Sequence, residues 1–403
     1  MKVLMIGQNT GNFGDEAAGL GCIDVFTSSE SIDKFGVMYR ARKTENFNKL
    51  PTDNAKVFHE GCFGYTNRIV VIILCIIHYI LPFLKNISLF KEVRRFVGKM
   101  KKYDYILVGP MGVDIGKYKN WYLLFQLLLA KQHRYPVCFH LVSVESSGNI
   151  IFDRIANSVL RKAGLFVREH RSQNYLKTLG LKSVFGIDTA FAMKSSLVAA
   201  DNAARKQDYI VLILSEKLIG WHPDFKDKDI DSHKLIMESI VLPAVDYAKR
   251  SGLSVRLINH TTDKKEKANL KRIVNEASKN FNDITFRNVK MAYEYENEIK
   301  DSLFVITMRY HGVVISVKNH IPFIALSYEN KMNEVSSYSG CAKNCINLSE
   351  LIDGTGYVSK MIGTVVENYD KIKLTLNKFD NSPLIRTVFS PLRSIEKNGF
   401  KNF

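Results

Sequence analysis

Residues 303–331 read LFVITMRYHGVVISVKNHIPFIALSYENK. The runs 303–307 and 323–326 are short, apolar and bounded by polar residues, the pattern of strands buried on both faces. Between them 312–318 carries a helical stretch, so the segment predicts a compact βαβ unit with parallel strands. Its two strands end on the same sheet edge and bring Arg309, His311, Tyr328 and Lys331 there. Open α/β sheets bind ligands outside the carboxyl ends of their strands, so this edge is the first place to look for chemistry.

The same alternation continues outward. Strands are expected at 3–6, 105–108, 137–142, 165–167 and 184–187 in the first half, and at 209–214 and 253–258 in the second. Helices are expected at 121–132, 172–179, 233–250 and 263–279. The chain therefore reads as α/β with parallel sheets. The polar, small-residue segment SSLVAADNAARKQ at 195–207 marks the boundary. The first domain is 1–195, with an apolar and basic insertion at 68–102. The second is 208–370, and 371–403 is a tail that can pack back on the first.

A chain of 403 residues suits two domains, and 46% hydrophobic content excludes a mainly disordered protein. With 57 Lys plus Arg against 40 Asp plus Glu, the net charge of +17 calls for anionic partners: phosphorylated substrates, an anionic membrane face or nucleic acid. Nucleic acid is disfavoured, because no recognition motif appears and the basic residues do not interleave with aromatics. Six cysteines at 22, 62, 75, 138, 341 and 345 contain no CxxC and read as unpaired thiols in a reducing cytosol. Only residues 3–6 are apolar before Gly7, too short for a secretory signal, so a cytoplasmic protein is expected.

Residues 69–84, IVVIILCIIHYILPFL, are too short to span a bilayer and too apolar for an ordinary surface helix. From Arg68 to Lys102 stand eight basic residues, both ends included, and one acid, Glu92. Two readings are open: a buried core helix with a solvated basic flank, or an element seated peripherally on the inner membrane face.

Further candidates follow other strands. Residues 7–16, GQNTGNFGDE, form a Gly-rich strand-to-helix turn matching neither GxGxxG nor GxxxxGK[ST], which disfavours NAD enzymes and nucleoside triphosphatases. Asp15 and Glu16 there read either as residues favourable to the helix dipole or as groups for sugar hydroxyls and proton transfer. Strand 253–258 leads into Asn259-His260, strand 165–167 into Arg168-Glu169, and strand 184–187 into Asp188. Ser172 reads as a helix cap. If the two sheet edges face each other, Arg168 and Arg309 can hold one polyanion. None of these motifs gathers a metal-ligand set, so no metal is expected.

Taken in order, the motifs GNFGDE at 11–16, FVRE at 166–169 with Ser172, DTAF at 188–191, RYHG at 309–312 and PFIALSY at 322–328 through Lys331 resemble the polysaccharide pyruvyl transferases. Where the family usually has a run of glycines, this chain has GPMGVD at 109–114. The resemblance implies two Rossmann-like domains of B-type glycosyltransferase-like architecture facing across a cleft, the first on the acceptor side and the second on the donor side, and transfer of pyruvate from phosphoenolpyruvate, as donor substrate and with no cofactor, onto two hydroxyls of a sugar. The acceptor would be a polysaccharide or its lipid-linked precursor. His311, Asp15 and Glu16 are the implied catalytic residues; Arg168, Arg309, Lys331, Tyr328, His260, Asn12 and Gly14 the implied substrate ligands. The competing expectation is a glycosyltransferase of the same architecture, with Arg309 and Lys331 on a nucleotide-sugar diphosphate and Glu329 on its ribose.

Overall fold

A computed structural model of the protein describes residues 1–40, 49–63, 67–83, 91–110, 112–195, 208–220, 225, 229–351 and 356–398. The chain divides into two compact units. Met1–Thr10, Asp15–Lys194 and Pro383–Phe403 make the first; Gly11–Gly14 and Ser195–Ser382 make the second. Of the expected boundary segment, residues 196–207 lie outside the described residues.

The first unit is built from β1 (Lys2–Gln8), α1 (Phe13–Thr27), β2 (Lys34–Tyr39), β3 (Val57–Cys62), α2 (Arg68–Ile80), α3 (Lys91–Met100) and β4 (Tyr105–Val108). It continues with α4 (Trp121–Gln132), β5 (Val137–Val142), α5 (Ile150–Leu160), β6 (Ala163–Val167), α6 (His170–Thr178) and β7 (Val184–Phe185). The strands form one parallel sheet ordered β3-β2-β1-β4-β5-β6-β7. β5 is buried at every residue, which is why its sequence lacks alternation. β2 and β3 were not expected. β2 carries a Gly at its centre, where the Tyr103 ring lies so close that an added Cβ would meet its hydroxyl at 2.4 Å. β3, at the sheet edge, is only partly buried and reads as polar. The expected strand 184–187 shortens to two residues.

The apolar run resolves as neither a span nor an enclosed core helix. α4 is buried on nearly all sides, because α2 packs over its outer surface. Val71, Leu74, Cys75 and His78 face inward, and Gln132 Nε2 donates to the His78 carbonyl at 2.5 Å. Ile69, Ile73, Ile77 and Ile80 remain exposed on the opposite face. No helix among the described residues is long and apolar enough to cross a membrane.

The second unit carries β8 (Tyr209–Ile213), α7 (Glu216–Ile219), α8 (Ser232–Ile236), α9 (Leu242–Ser251), β9 (Ser254–Ile258), α10 (Lys264–Ala277), β10 (Ile284–Arg287) and α11 (Ala292–Lys300). There follow β11 (Val305–Thr307), α12 (Tyr310–Lys318), β12 (Phe323–Ser327), α13 (Asn330–Tyr338), β13 (Cys345–Asn347), α14 (Tyr357–Glu367) and α15 (Tyr369–Phe379). Its parallel sheet runs β10-β9-β8-β11-β12-β13. The 303–331 segment forms the βαβ unit its sequence predicts, with Val305 opposite Phe323 in register. α8 and α9 are joined by a π-helical stretch, Met237–Val241. Pro243 supplies no N–H to the helical ladder there, and the ladder loosens just before it. The last described element is α16 (Ser390–Asn398), which belongs to the first unit; Glu396 accepts from Ser29 and Ser31, and Thr387 Oγ1 accepts from Ile187 N at 3.0 Å.

Candidate active site

In the second unit the chemistry gathers at the carboxyl ends of β8, β9, β11 and β12. Thr307 closes β11, and its hydroxyl accepts from Arg309 N at 2.9 Å, fixing the turn into α12. Arg309 Nη2 donates to Ser215 Oγ at 3.0 Å and to Glu266. The Arg309 and Glu266 side chains are only 13% and 10% exposed, so this pair is largely withdrawn from water. Arg309 Nε is buried with no hydrogen-bond partner among the described groups.

Glu266 is the hub of this edge. Its Oε1 accepts from His260 N and Thr261 N, both at 2.9 Å, while Oε2 takes Arg309. It stands three residues after Asp263, the N-cap of α10. From sequence, D-x-x-E signals only a capped helix start; that its carboxylate turns to the 260–261 turn and to Arg309 is a tertiary fact.

His260 is buried, and burial, then the charges of Arg309, His311 and Lys331, push its imidazole well below the ordinary histidine range. It is therefore neutral near pH 7. Its Nδ1 lies 3.0 Å from Tyr295 Oη, and burial pushes that phenol up, keeping it protonated. A phenol donating to Nδ1 leaves the imidazole proton on Nε2. His311, one residue into α12, lies parallel to His260 with ring centroids 6.3 Å apart.

The N-terminal loop completes this half. Gly11 has φ +81, the left-handed region where a side chain is disfavoured. Asn12 bridges Thr261, Phe13 N donates to His260 O at 3.0 Å, and Thr262 N donates to Gly11 O at 2.8 Å. Gly14 lies against the His311 ring: a Cβ there would stand 2.1 Å from Nδ1. Lys331 Nζ pairs with Glu329 at 2.9 Å and sits over the rings of Tyr310 and Tyr328, at 5.2 and 6.0 Å. Tyr310 in turn meets His311 edge-on at 4.9 Å. The structure thus brings together His260, Arg309, His311, Tyr328, Lys331, Asn12 and Gly14.

In the first unit, Arg168 follows β6 and Asp188 follows β7. They form a buried ion pair, with side chains 3% and 0% exposed, and Arg168 Nε donates to Ser143 Oγ at 3.4 Å. β5 reaches Ser143 through an irregularity: the register shifts between Phe139 and Val142, and Leu141 takes φ 52. A non-glycine residue held there is strained, a feature that clusters at functional sites. Asp15 Oδ2 accepts from Asn9 Nδ2 at 2.7 Å, and Glu16 is buried in the first turn of α1. Asp114 pairs with Arg40 at 2.5 Å and with Asn120 at 2.9 Å. Burial raises its carboxyl above the usual range, against the opposing pull of Arg40 and Asn120; Asp15 raises it further and Arg168 lowers it, so these charges share one electrostatic neighbourhood. Ser172 is not a cap. Glu169 holds the N-cap position of α6, and Ser172 Oγ accepts from Val144 N at 2.8 Å.

Ser215, Glu266, Tyr295, Arg40 and Asp114 were not among the expected site residues. Ser215 alone had a usable signal, since it follows a predicted strand directly.

The sequence profile described as polysaccharide pyruvyl transferase matches residues 12–330. The amylovoran biosynthesis protein AmsJ of Erwinia amylovora is 23% identical over 407 residues, covering 93% of this chain and 94% of that protein. Among solved structures, S. aureus MnaA with UDP matches at TM-score 0.59 and 11% identity, covering 98% of this chain and 95% of that one. UDP-GlcNAc 2-epimerase from Neisseria meningitidis, bound to UDP-GlcNAc, matches at 0.58 and 11%, covering 98% and 99%. These structures share the fold, two parallel-sheet α/β domains of the B-type glycosyltransferase class. The chain belongs to the polysaccharide pyruvyl transferase family.

Proposed function

We propose that this pyruvyl transferase family member moves pyruvate from phosphoenolpyruvate onto two hydroxyls of one sugar, in an exopolysaccharide or its lipid-linked precursor, as a cyclic ketal. The observation that carries the reading is the edge at α12. There a buried arginine with an unmet N–H, a lysine and a helix N-terminus meet two histidines. Phosphoenolpyruvate carries a carboxylate and a phosphate, and Arg309, Lys331 and the first N–H groups of α12 suit both. The neutral His260 offers an Nε2–H to the same ligand.

His311 is the proposed proton carrier. It protonates the methylene carbon, which becomes the methyl group and leaves an oxocarbenium-like C2. One acceptor hydroxyl attacks C2 and gives up its proton. The C–O bond to phosphate then breaks, phosphate departs with its electron pair, and the second hydroxyl closes the ring. The two hydroxyl protons balance the one placed on carbon and the one carried away on phosphate. Asp15 and Glu16 are the proposed groups for receiving or orienting the acceptor hydroxyls.

Incubation with phosphoenolpyruvate and a panel of soluble and lipid-linked glycosides tests this through phosphate release and added pyruvate mass. Arg309→Ala should lower kcat/KM by about 2–4 kcal/mol of transition-state stabilisation. His311→Gln should retain donor binding and lose most turnover. Thermal stabilisation by UDP- or GDP-sugars with none by phosphoenolpyruvate would replace the proposal with a glycosyltransferase.

A further inference from the structure

We propose that the outer face of α2, with the start of α5 and the exposed cations of α3, docks the enzyme on an anionic lipid bilayer. The proposal extends the reading of a lipid-linked acceptor and is tested without it.

At 3.6 residues per turn, Ile69, Ile73, Ile77 and Ile80 fall within about 80° of arc, opposite the buried Val71, Leu74, Cys75 and His78. Ile69 and Ile80 are 66% and 64% exposed, and Phe83 just beyond the helix is 61% exposed. Four large β-branched side chains in water on one helix face are costly for a protein that stays in solution. The packing explains their direction. α2 rests on α4, α4 rests on the sheet, and the isoleucine face points away from both. α3 and α5 also pack on α4, and the buried residues of α2, α3 and α5 enter the same core as those of α4.

Those neighbours supply the charge. Arg68 opens α2, and Lys91, Arg94 and Arg95 are exposed on α3, whose Val93, Phe96 and Met100 enter the core. Glu92 pairs with Arg95 at 3.1 Å, so Arg68, Lys91, Arg94 and Arg95 stand against one carboxylate. Lys99, by contrast, turns inward to the Glu60 carbonyl and is not part of the rim. At the far end of α2, Tyr79 borders a shallow groove of about 510 Å³ shared with Ile150, Arg154 and Arg161 of the α5 region. Ile150 is 79% exposed, and the one carboxylate there, Asp153, is occupied by Ser146 Oγ and Ser147 N. An apolar strip between cations matches acyl chains beneath anionic headgroups. A second copy of the chain matches poorly, because a two-fold contact through this face would set one basic rim against another.

Sedimentation with vesicles tests the assignment. The full chain should pellet with phosphatidylglycerol-containing vesicles at low salt and stay in solution with pure phosphatidylcholine. Ile73→Ser with Ile77→Ser should lower vesicle affinity at least tenfold. Arg94→Gln with Arg95→Gln should lower it about fivefold per charge and flatten its salt dependence. Both variants change exposed positions and should keep the wild-type melting temperature and turnover on a soluble glycoside. Wild-type protein left in the supernatant with anionic vesicles at low salt overturns the proposal. So does a dimer in sedimentation velocity that Ile73→Ser with Ile77→Ser dissociates. Vesicle binding without pyruvyl transfer would leave this surface standing and remove only the catalytic reading.

Discussion

Gly14→Ala tests the join between the N-terminal loop and α12 with one methyl group. The added Cβ would sit 2.1 Å from His311 Nδ1, 2.3 Å from Cγ and 2.5 Å from Cβ. Ordinary carbon contacts begin at about 3.5 Å, so the overlap is about 1.4 Å at the ring and about 1 Å at the root of the side chain. Rotating the imidazole cannot relieve the second contact, because Cβ is fixed by the backbone of α12. The loop and the helix must part, or the ring must leave its place. Gly14 is not in the left-handed region, so alanine carries no intrinsic backbone penalty, and the whole effect is steric. Overpacking of this kind costs about 1–3 kcal/mol of stability. Displacing a proton carrier by about 1 Å lowers the rate roughly a hundredfold. Urea denaturation of a double-mutant cycle isolates the contact. Gly14→Ala should cost about 1–3 kcal/mol in the native chain and close to nothing in a His311→Gly background, where all three clashing atoms are gone. Equal costs in the two backgrounds would refute the packing argument, and unchanged kcat in Gly14→Ala would refute the catalytic position of His311.

Arg168→Met should destabilise the protein by about 3–5 kcal/mol, because it removes the guanidinium that faces the buried Asp188 carboxylate; adding Asp188→Asn should recover much of the loss in thermal melts. His140, wholly buried in β5, has its imidazole pushed down to about 3 by burial. The unfolded chain binds a proton there below about pH 6.5 and the native chain does not, so stability falls as pH drops through that value, by about 1.4 kcal/mol per pH unit. His260 is depressed for the same reason and adds a like slope. In melts between pH 6.5 and 5, His140→Leu should be less acid-sensitive than the native chain; identical pH profiles would count against a neutral buried His140. Glu266→Gln keeps the acceptor for the 260–261 turn but loses the charge facing Arg309, so it should raise KM for phosphoenolpyruvate more than it disturbs melting temperature.

Much of this molecule is legible in its residues. The strands that show as apolar runs are central and buried on both faces, so hydrophobicity alone marks them. β2, broken by Gly36, and the edge strand β3 lack that mark. Arg309, His311, Tyr328 and Lys331 could be placed together because one βαβ unit fixes where both strands end. For 69–84, composition showed only that the helix was unusually apolar; the packing of α2 on α4 decided which half of it meets water.

The linear sequence thus determined what short-range periodicity and chain connectivity can encode: parallel strands, the helices between them, and the residues that follow each strand. Tertiary structure alone decided which charges oppose which. Glu266 reaches Arg309 across 43 residues, Tyr295 reaches His260 across 35, and Asp188 reaches Arg168 across 20. It also decided that Gly14 must be small, since the ring it accommodates belongs to a helix nearly 300 residues on. Such pairings carry no local signature, because a carboxylate on a helix surface has the same neighbours in sequence whether it faces solvent or a buried guanidinium. Only the fold, by removing water from some of these groups and leaving it on others, sets them apart.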